Sequence, residues 1–144
     1  MNRTIKPPHF DGTVGQRVLI EAGDWAQQET LARILRDAGY RTASCDGPEA
    51  GNRCSLVAGS GCSACLEADA VVHSLRHSEP RNREVLLGIR ERFPDLPLVV
   101  EVPGPRVDRY PGDFVGCIVI PQPMTASHLL DAVAEALESA QADS

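Results

Sequence analysis

Two groups of residues in this sequence are of types that carry chemistry. The first lies in the segment ADAVVHSLRHSEP, residues 68–80, where His73 and Ser74 follow the apolar pair Val71 and Val72. A short apolar run is typical of a buried strand, and open α/β folds place their chemistry at the carboxyl edge of the sheet. Nothing near Ser74 in the sequence is arranged to activate its hydroxyl. We therefore expect no catalysis at this position, and we expect His73 to be a core or pocket-lining histidine.

Five cysteines form the second group, and four of them fall between residues 45 and 65. Cys62 and Cys65 make one CxxC pair, but Cys45 and Cys54 are widely spaced, whereas structural zinc usually takes two tight pairs. The spacing favours free or partly buried thiols, with no bound metal and no cofactor. Two alternatives stay open: a zinc or iron–sulfur site made by these four cysteines, or a redox dithiol at Cys62 and Cys65.

The length and composition indicate one ordinary globular domain. A chain of 144 residues, 42% hydrophobic and 24% charged, is long enough to bury a single core. Its net charge of −6 disfavours nucleic acid and anionic membranes as partners. No apolar run approaches the ~20 residues that span a bilayer, and the N-terminus lacks the apolar stretch of a signal peptide. We therefore expect a cytoplasmic location, in which thiols are mostly reduced.

The hydrophobic periodicity predicts strands that alternate with helices. Residues 1–16 are predicted to be a flexible N-terminal tail, which leaves residues 17–140 as the domain. The predicted strands are RVLI from residue 17, YRTASC, ADAVVHS, LPLVVEV and CIVI. A first helix is predicted between a capping box of Asp24 with Gln27 and a terminal Gly39, and two more over RNREVLLGIRERF and ASHLLDAVAEALESA.

Two segments interrupt this alternation. Residues 46–66 are rich in glycine, so a loop is predicted there with one short helical piece near residues 62–67. Residues 103–116 hold three prolines and three glycines, which nearly exclude a full helix. The pattern predicts a flavodoxin-like three-layer α/β sandwich with a five-stranded parallel sheet, strand order 2-1-3-4-5, and a degenerate fourth helix. His77 and His128 are predicted to be surface residues of a loop and a helix.

In the order and spacing of these elements, the chain resembles the receiver domain of bacterial two-component response regulators. The fragments that carry the resemblance are RVLI, LARILRDAGYRT, ADAVV, LLGIRERFPDLPLVV and IVIPQPMTASHLLDAVAEAL. The resemblance implies a signal-transduction domain in which an aspartate that ends the third strand accepts a phosphoryl group. An acidic pair after the first strand would hold Mg²⁺, and a hydroxyl residue and a lysine would complete the site.

Carried over residue by residue, this phosphorylation site is degenerate. Its positions are occupied by Ser74 beside His73 for the phosphoacceptor, Ala22 and Gly23 (with Glu21 one residue away) for the acidic pair, Val102 (with Glu101 one residue away) for the hydroxyl residue, and Gln122 for the lysine. Serine lacks the acidity to form an acyl phosphate. The resemblance therefore predicts a pseudo-receiver that is not an enzyme.

We expect such a domain to act in signalling, independently of phosphorylation, by binding another protein or a second copy of itself. The competing hypothesis is a cysteine-based metal-binding or redox-sensing module on the same scaffold. The segment between Tyr40 and Ser74 is also roughly eight residues longer than receivers need. We predict that Leu56 and Val57 pack against the first helix or the sheet edge, so that the insertion forms a partly ordered lid.

Overall fold

Strands and helices alternate along the part of the chain that the structure, a computed structural model, describes: residues 9–48 and 62–142. The elements are β1 Arg17–Glu21, α1 Trp25–Asp37, β2 Arg41–Cys45, α2 Ser63–Glu67, β3 Ala70–His73, α3 Pro80–Arg92, β4 Leu98–Glu101, α4 Gly104–Arg109, β5 Ile118–Ile120 and α5 Ala126–Ala142. A 3-10 turn, Pro111–Phe114, lies between α4 and β5.

The five strands form one parallel sheet in the order β2-β1-β3-β4-β5. The predicted flavodoxin-like sandwich and its strand order are therefore confirmed. In the register of the sheet, His73 lies beside Glu21 of β1 and beside Val100 of β4. Because all strands run the same way, their last residues meet at one carboxyl edge, and the residues that could carry chemistry are gathered there.

Two apolar cores cover the two faces of the sheet, as expected for buried parallel strands. One core joins alternate strand residues to α1 and α5 and includes Val18, Ile20, Val72, Val99, Leu35, Leu129 and Val133. The other joins the remaining strand residues to α2, α3 and the 3-10 turn and includes Leu19, Val71, Val100, Cys65, Leu86, Ile89 and Phe114. The side-chain alternation along each strand thus decides which layer a residue faces.

Helix α1 begins and ends at the residues that the sequence predicts. Asp24 is the N-cap, and its side chain accepts a hydrogen bond from the Ala26 N–H at 3.3 Å. Gly39 follows the C-cap with a φ of +97°, and the N–H of Tyr40 returns to the Leu35 carbonyl at 3.0 Å, which is a Schellman ending. The capping box itself is wrong, because the Gln27 side chain does not return to the N-cap and instead points across the edge of the sheet.

The proline- and glycine-rich segment before β5 contains only short helical pieces. Helix α4 has six residues, and the 3-10 turn that follows has four. The prediction of a degenerate fourth helix is confirmed, and the short α2 over Ser63–Glu67 confirms the helical piece predicted near residue 62. Helices this short are marginal on their own. Helix α2 buries Ala64 and Cys65 in the core, whereas α4 has no buried residue and is tied to the rest of the domain by the hydrogen bond from Arg106 to His77.

Part of the segment before β1 binds the outer edge of the sheet. Asp11 donates its N–H to the Thr42 carbonyl at 2.9 Å, and its carboxylate accepts the Thr42 N–H at 2.8 Å. The same carboxylate pairs with Arg36 of α1 at 3.1 Å. Asp11 thereby covers the backbone of β2, which is an edge strand, so ordered contacts of the domain begin before Arg17.

Two predictions, the lid and the flexible N-terminal tail, concern residues that the structure does not describe or describes only in part. The lid formed by Leu56 and Val57, and the position of Cys54, lie outside the described residues. The first eight residues of the predicted tail do so as well.

Candidate functional site

The predicted pocket residues lie together at the carboxyl edge of the sheet. Glu21 is the last residue of β1, His73 is the last of β3, and Ser74 follows it. Glu101 ends β4 and Val102 follows, fully buried, while Gln122 is exposed beyond β5 and precedes a cis peptide bond to Pro123. The structure therefore brings these positions to one edge, and the contacts that each one makes decide what the edge can do.

His73 and Glu21 form a buried pair on the α2–α3 side of the sheet. The Nδ1 atom of His73 lies 2.8 Å from Oε1 of Glu21, and both residues are at least nine-tenths buried. The Nε2 atom of His73 is buried without a hydrogen-bond partner among the described residues. This agrees with a core histidine, and it engages the carboxylate of Glu21, which lies one residue before the predicted position of the acidic pair.

Ser74 is held on both sides by hydrogen bonds from its own chain. Its hydroxyl donates to Oε1 of Glu101 at 2.5 Å and accepts from the Gln27 amide at 2.7 Å. Gln27 also approaches the same Glu101 oxygen at 3.4 Å. A hydroxyl that donates to a carboxylate and accepts from an amide has used its strongest interactions, so Ser74 is a structural bridge between α1 and β4.

Glu101 is the centre of this network. Its second oxygen, Oε2, accepts the Met124 N–H at 2.9 Å, in the loop that leads from β5 to α5. Only 8% of its surface is exposed, so its carboxylate is satisfied by protein donors rather than by bulk water. One acidic side chain thus connects the ends of three structural units: α1, β3 and the β5–α5 loop.

The other positions of the predicted pocket contribute no reactive group. Ala22 is buried, and its carbonyl accepts the Gln28 amide at 2.6 Å; the same amide also donates to the Asp46 carboxylate. Gly23 is exposed, and Asp24 after it caps α1. Val102 offers only a methyl surface to the core.

His77 is buried, so the prediction that it lies on the surface of a loop is wrong; His128 is exposed, as predicted. The His77 Nε2 atom lies 2.8 Å from the Asp113 carboxylate, and its Nδ1 accepts a hydrogen bond from Arg106 at 3.1 Å. Burial lowers the pKa of His77, and the Arg106 charge acts in the same direction against the opposing effect of Asp113. His77 thus locks α4 and the 3-10 turn to the β3–α3 loop.

Arg83 of α3 completes this second cluster. It makes a two-point contact with the Asp113 carboxylate, at 2.6 and 3.0 Å, which lowers the pKa of Asp113. The guanidinium carbons of Arg83 and Arg106 lie over the aromatic ring of Tyr110, 5.0 and 4.6 Å from its centroid. These contacts join α3, α4 and the 3-10 turn on this side of the domain.

Among the described cysteines, Cys45 lies at the carboxyl edge, Cys62 and Cys65 lie at the start of α2, and Cys117 precedes β5. Cys62 is the N-cap of α2, and its sulfur accepts the Cys65 N–H at 3.4 Å. Cys45 ends β2, and its sulfur accepts the Gly47 N–H at 3.4 Å. Within residues 9–48 and 62–142, no three His, Cys, Asp or Glu side chains are placed to hold a metal ion.

Two important participants do not stand out in the sequence. Gln27 looks like a helix-capping residue, and its contact with Ser74 follows only from the direction in which α1 leaves the sheet. Asp113 lies in a proline- and glycine-rich stretch and pairs with a histidine 36 residues earlier. The contact between Ser74 and Glu101 could be found from the strand register. His73 pairs with Val100, so the next residue in each chain segment, Ser74 and Glu101, should also lie side by side.

Comparison with solved structures identifies proteins that share this architecture. The response regulator receiver domain protein from Clostridium thermocellum matches with a TM-score of 0.71 and 14% identity, over 90% of this chain and 99% of that one. The CheY-like receiver domain protein from Methanospirillum hungatei JF-1 matches with a TM-score of 0.67 and 16% identity, over 91% and 100%. The chain has the receiver fold.

The similarity reaches beyond proteins described as receivers. The adenylate cyclase from Rhodopirellula baltica matches with a TM-score of 0.66 and 16% identity, over 90% of this chain and 92% of that one. No protein-family model matches the sequence, and the comparison with curated proteins finds no match. Among the helices of the described residues, none is both long and apolar enough to cross a membrane. Identities this low carry the fold alone, so function has to be argued from the site.

Proposed function

We propose that this chain is a non-catalytic, phosphorylation-independent signalling domain that acts by binding another protein. The observation that carries the proposal is the environment of Ser74. Its hydroxyl is enclosed between the Glu101 carboxylate at 2.5 Å and the Gln27 amide at 2.7 Å, at the position where a receiver would carry its phosphoacceptor. A serine has no carboxyl group and so cannot form the acyl phosphate of a receiver, and the Gln27 amide occupies a lone pair of its hydroxyl.

The surroundings of Ser74 also oppose phosphoryl transfer electrostatically. An incoming phosphoryl group would bring negative charge against Glu101, and the catalysis of this transfer depends on cations that neutralise such charge. Gln122 stands at the position of the lysine, and Glu21 is engaged by His73. The residues at the edge would thus repel the negative charge of a phosphoryl group, whereas the cations of a receiver site neutralise it.

Glu101 is an acidic side chain held in place at the edge by hydrogen bonds from its own chain. Receivers switch when a phosphoryl group is added at this end of the sheet and the face made by the fourth helix, fifth strand and fifth helix responds. Here the Glu101 carboxylate accepts the Met124 N–H at 2.9 Å, directly before α5, without any modification. We infer that this contact holds the face in one conformation, so that binding is constitutive.

The binding face in this proposal is built by α4, β5 and α5. Strand β5 is an edge strand with an open backbone side, and Ile118 and Val119 on it are only partly buried. Val115, three residues before the strand begins, exposes 67% of its surface. Apolar side chains beside an open strand edge suit a protein partner better than a small molecule, and a second copy of the chain is the alternative occupant.

The phosphorylation half of the proposal is tested with acetyl phosphate. The purified protein and a conventional receiver, as the positive control, are incubated with Mg²⁺ and radiolabelled acetyl phosphate and are then separated on a gel. The conventional receiver should be labelled and this protein should not. Label that maps to the peptide containing Ser74 would contradict the proposal.

The binding half is tested with a matched pair of surface variants. Val115→Asp places a charge on the proposed face, whereas Val14→Asp places one on an equally apolar residue, 85% exposed, in the segment before β1. Partners captured from the native host by the wild-type protein are identified by mass spectrometry and titrated with both variants. Val115→Asp should weaken binding at least tenfold and Val14→Asp should not; equal effects would refute the assignment of the face.

A further inference from the structure

We propose that Cys62 and Cys65 are a redox-active dithiol that reacts with a low-molecular-weight disulfide to form a reversible intramolecular disulfide. This inference does not depend on the proposed function, because it concerns the α2 side of the sheet and not Ser74. It rests on the positions of the two sulfurs, on their unequal exposure and on the groups that surround them.

The local backbone brings the two sulfurs together. Cys62 is the N-cap of α2 with extended backbone angles, and Cys65 lies in the first turn, three residues later. The Cys65 N–H donates to the Cys62 sulfur at 3.4 Å, so the Cys62 side chain is turned towards the residue that carries the second thiol. A CxxC pair held in this way across the first turn of a helix needs little backbone movement to be joined.

The two cysteines differ in exposure in the way that a dithiol exchange requires. Cys62 is partly exposed, whereas Cys65 exposes only 3% of its surface and packs in the core beneath α2 and α3. An external disulfide can therefore reach the Cys62 sulfur. Cys65 can react only with a sulfur already bound to Cys62, which assigns Cys62 as the attacking residue and Cys65 as the resolving one.

The electrostatics agree with this division of roles. The hydrogen bond from the Cys65 thiol lowers the pKa of Cys62 to about 6, with help from the N–H groups of Cys65 and Ala64 and against burial and the charge of Glu21. The bond to Cys62, together with burial and the nearby Glu21 and Cys45, raises the pKa of Cys65. At neutral pH, Cys62 is thus the thiolate and Cys65 keeps its proton.

The exchange balances in two steps. The Cys62 thiolate attacks one sulfur of the external disulfide, that sulfur–sulfur bond breaks, and a thiolate leaves and takes a proton from water. Cys62 is then neutral, so the group that held the proton on Cys65 is gone. Cys65 releases its proton to water and attacks the Cys62 sulfur, which expels the second external thiolate. The dithiol loses two electrons, and the external disulfide gains them as two thiols.

Metal binding by the same residues is the competing explanation. In the part of the chain that the structure describes, Cys45, Cys62 and Cys65 do not belong to any group of three side chains suited to a metal ion. Disulfide exchange, unlike metal binding, requires only the two sulfurs of the pair. The contact of the Cys65 N–H with the Cys62 sulfur at 3.4 Å and the unequal exposure of the two cysteines are the observations that favour exchange chemistry.

The test uses oxidised glutathione and a Cys54→Ser protein. Trypsin cuts after Arg53 and Arg76, so the peptide between them then carries Cys62 and Cys65 as its only cysteines. After exposure to oxidised glutathione, acid quenching and treatment with N-ethylmaleimide, this peptide should be unlabelled and lighter than the reduced form by two hydrogen atoms. Reduction with dithiothreitol should restore two sites of labelling.

Single variants separate the two roles. With Cys65→Ser in the same background, a glutathione adduct should accumulate on Cys62, because nothing resolves it. With Cys62→Ser, the peptide should remain reduced. A stable glutathione adduct in the protein that has both cysteines, or no reaction at Cys62, would overturn the proposal.

A pH profile of alkylation gives a second readout that does not need the disulfide to form. The rate of Cys62 carbamidomethylation by iodoacetamide should reach half of its maximum near pH 6, the pKa of its thiol. Cys65→Ala should move the midpoint up towards the ordinary value of 9.0, because the main hydrogen bond is lost. A wild-type rate that still rises steeply above the ordinary thiol pKa would contradict the assignment.

Discussion

Replacing Ser74 by aspartate places the residue type of a receiver phosphoacceptor at the predicted position, and we expect this substitution to destabilise the protein. The Ser74 hydroxyl lies 2.5 Å from Oε1 of Glu101, so Ser74→Asp brings two carboxylates against each other in place of a hydrogen bond. Two unit charges about 4 Å apart repel by roughly 4 kcal/mol at the effective dielectric constant of about 20 that applies near a protein surface. Ser74 is partly exposed, so we expect ~2–4 kcal/mol.

The destabilisation should depend on pH. Repulsion by Glu101 raises the pKa of the introduced carboxyl in the folded state above its unfolded value of about 3.9. The destabilisation is therefore absent below the unfolded pKa, grows as the pH rises from the unfolded to the folded pKa, and is complete above the folded pKa. At about pH 5 one proton can relieve all but roughly 1.5 kcal/mol of it, because each pH unit above the unfolded pKa contributes about 1.4 kcal/mol.

The assay is urea unfolding followed by far-UV circular dichroism in the presence of a chelator. Ser74→Asn is the matched control, because the asparagine side chain has the size of aspartate but carries no charge and can donate a hydrogen bond to Glu101. The gap between the two variants in free energy of unfolding should be large near pH 7.5 and small near pH 5. Equal stability near pH 7.5, or a gap that does not shrink on acidification, would refute the carboxylate contact.

Other consequences of the structure can be measured with the same assay. Gly47→Ala should destabilise the fold by about 2–4 kcal/mol, because φ is +65° and the new Cβ would lie 2.7 Å from the Leu75 side chain; Gly39→Ala, with open space at φ +97°, should cost only ~1 kcal/mol. Similar losses for the two would count against the Leu75 contact. Burial lowers the pKa of His77 in the folded protein, so the unfolded chain takes up the proton first as the pH falls below 6.5. The free energy of unfolding should therefore be at its full value above pH 6.5 and should decline below it, by at most about 1.4 kcal/mol per pH unit. His77→Gln should flatten this dependence relative to wild type, and an unchanged slope would show that His77 is not the titrating group.

The sheet and its order follow from the sequence because they depend on repeated local signals. Apolar runs of strand length alternate with segments of helical period, and right-handed crossovers leave few ways to connect them. The prolines and glycines of residues 103–116 correctly indicated a degenerate fourth helix, since proline ends a helix through sterics that context rarely overrides. Gly39 likewise marked the end of α1, because its positive φ disfavours side chains with a Cβ.

The polar contacts of the site were less predictable because they join residues far apart in the chain. Gln27 satisfied the spacing of a capping box, but tertiary contacts with Ser74 and Glu101 won over the local bond. His77 was expected on the surface of a loop. Its burial depends on Asp113, which follows α4 and comes into contact only when the 3-10 turn packs beneath α3.

The most direct test of phosphorylation independence is the response of the folded protein to beryllium trifluoride, which binds a receiver aspartate as a phosphoryl mimic. Amide proton–nitrogen spectra are recorded with Mg²⁺ before and after addition, and a conventional receiver serves as the positive control. The Ser74 hydroxyl is already engaged by Glu101 and Gln27, so the amides of Ser74, Val102 and Met124 should not shift. Saturable shifts centred on those amides and extending into α5 would contradict the account.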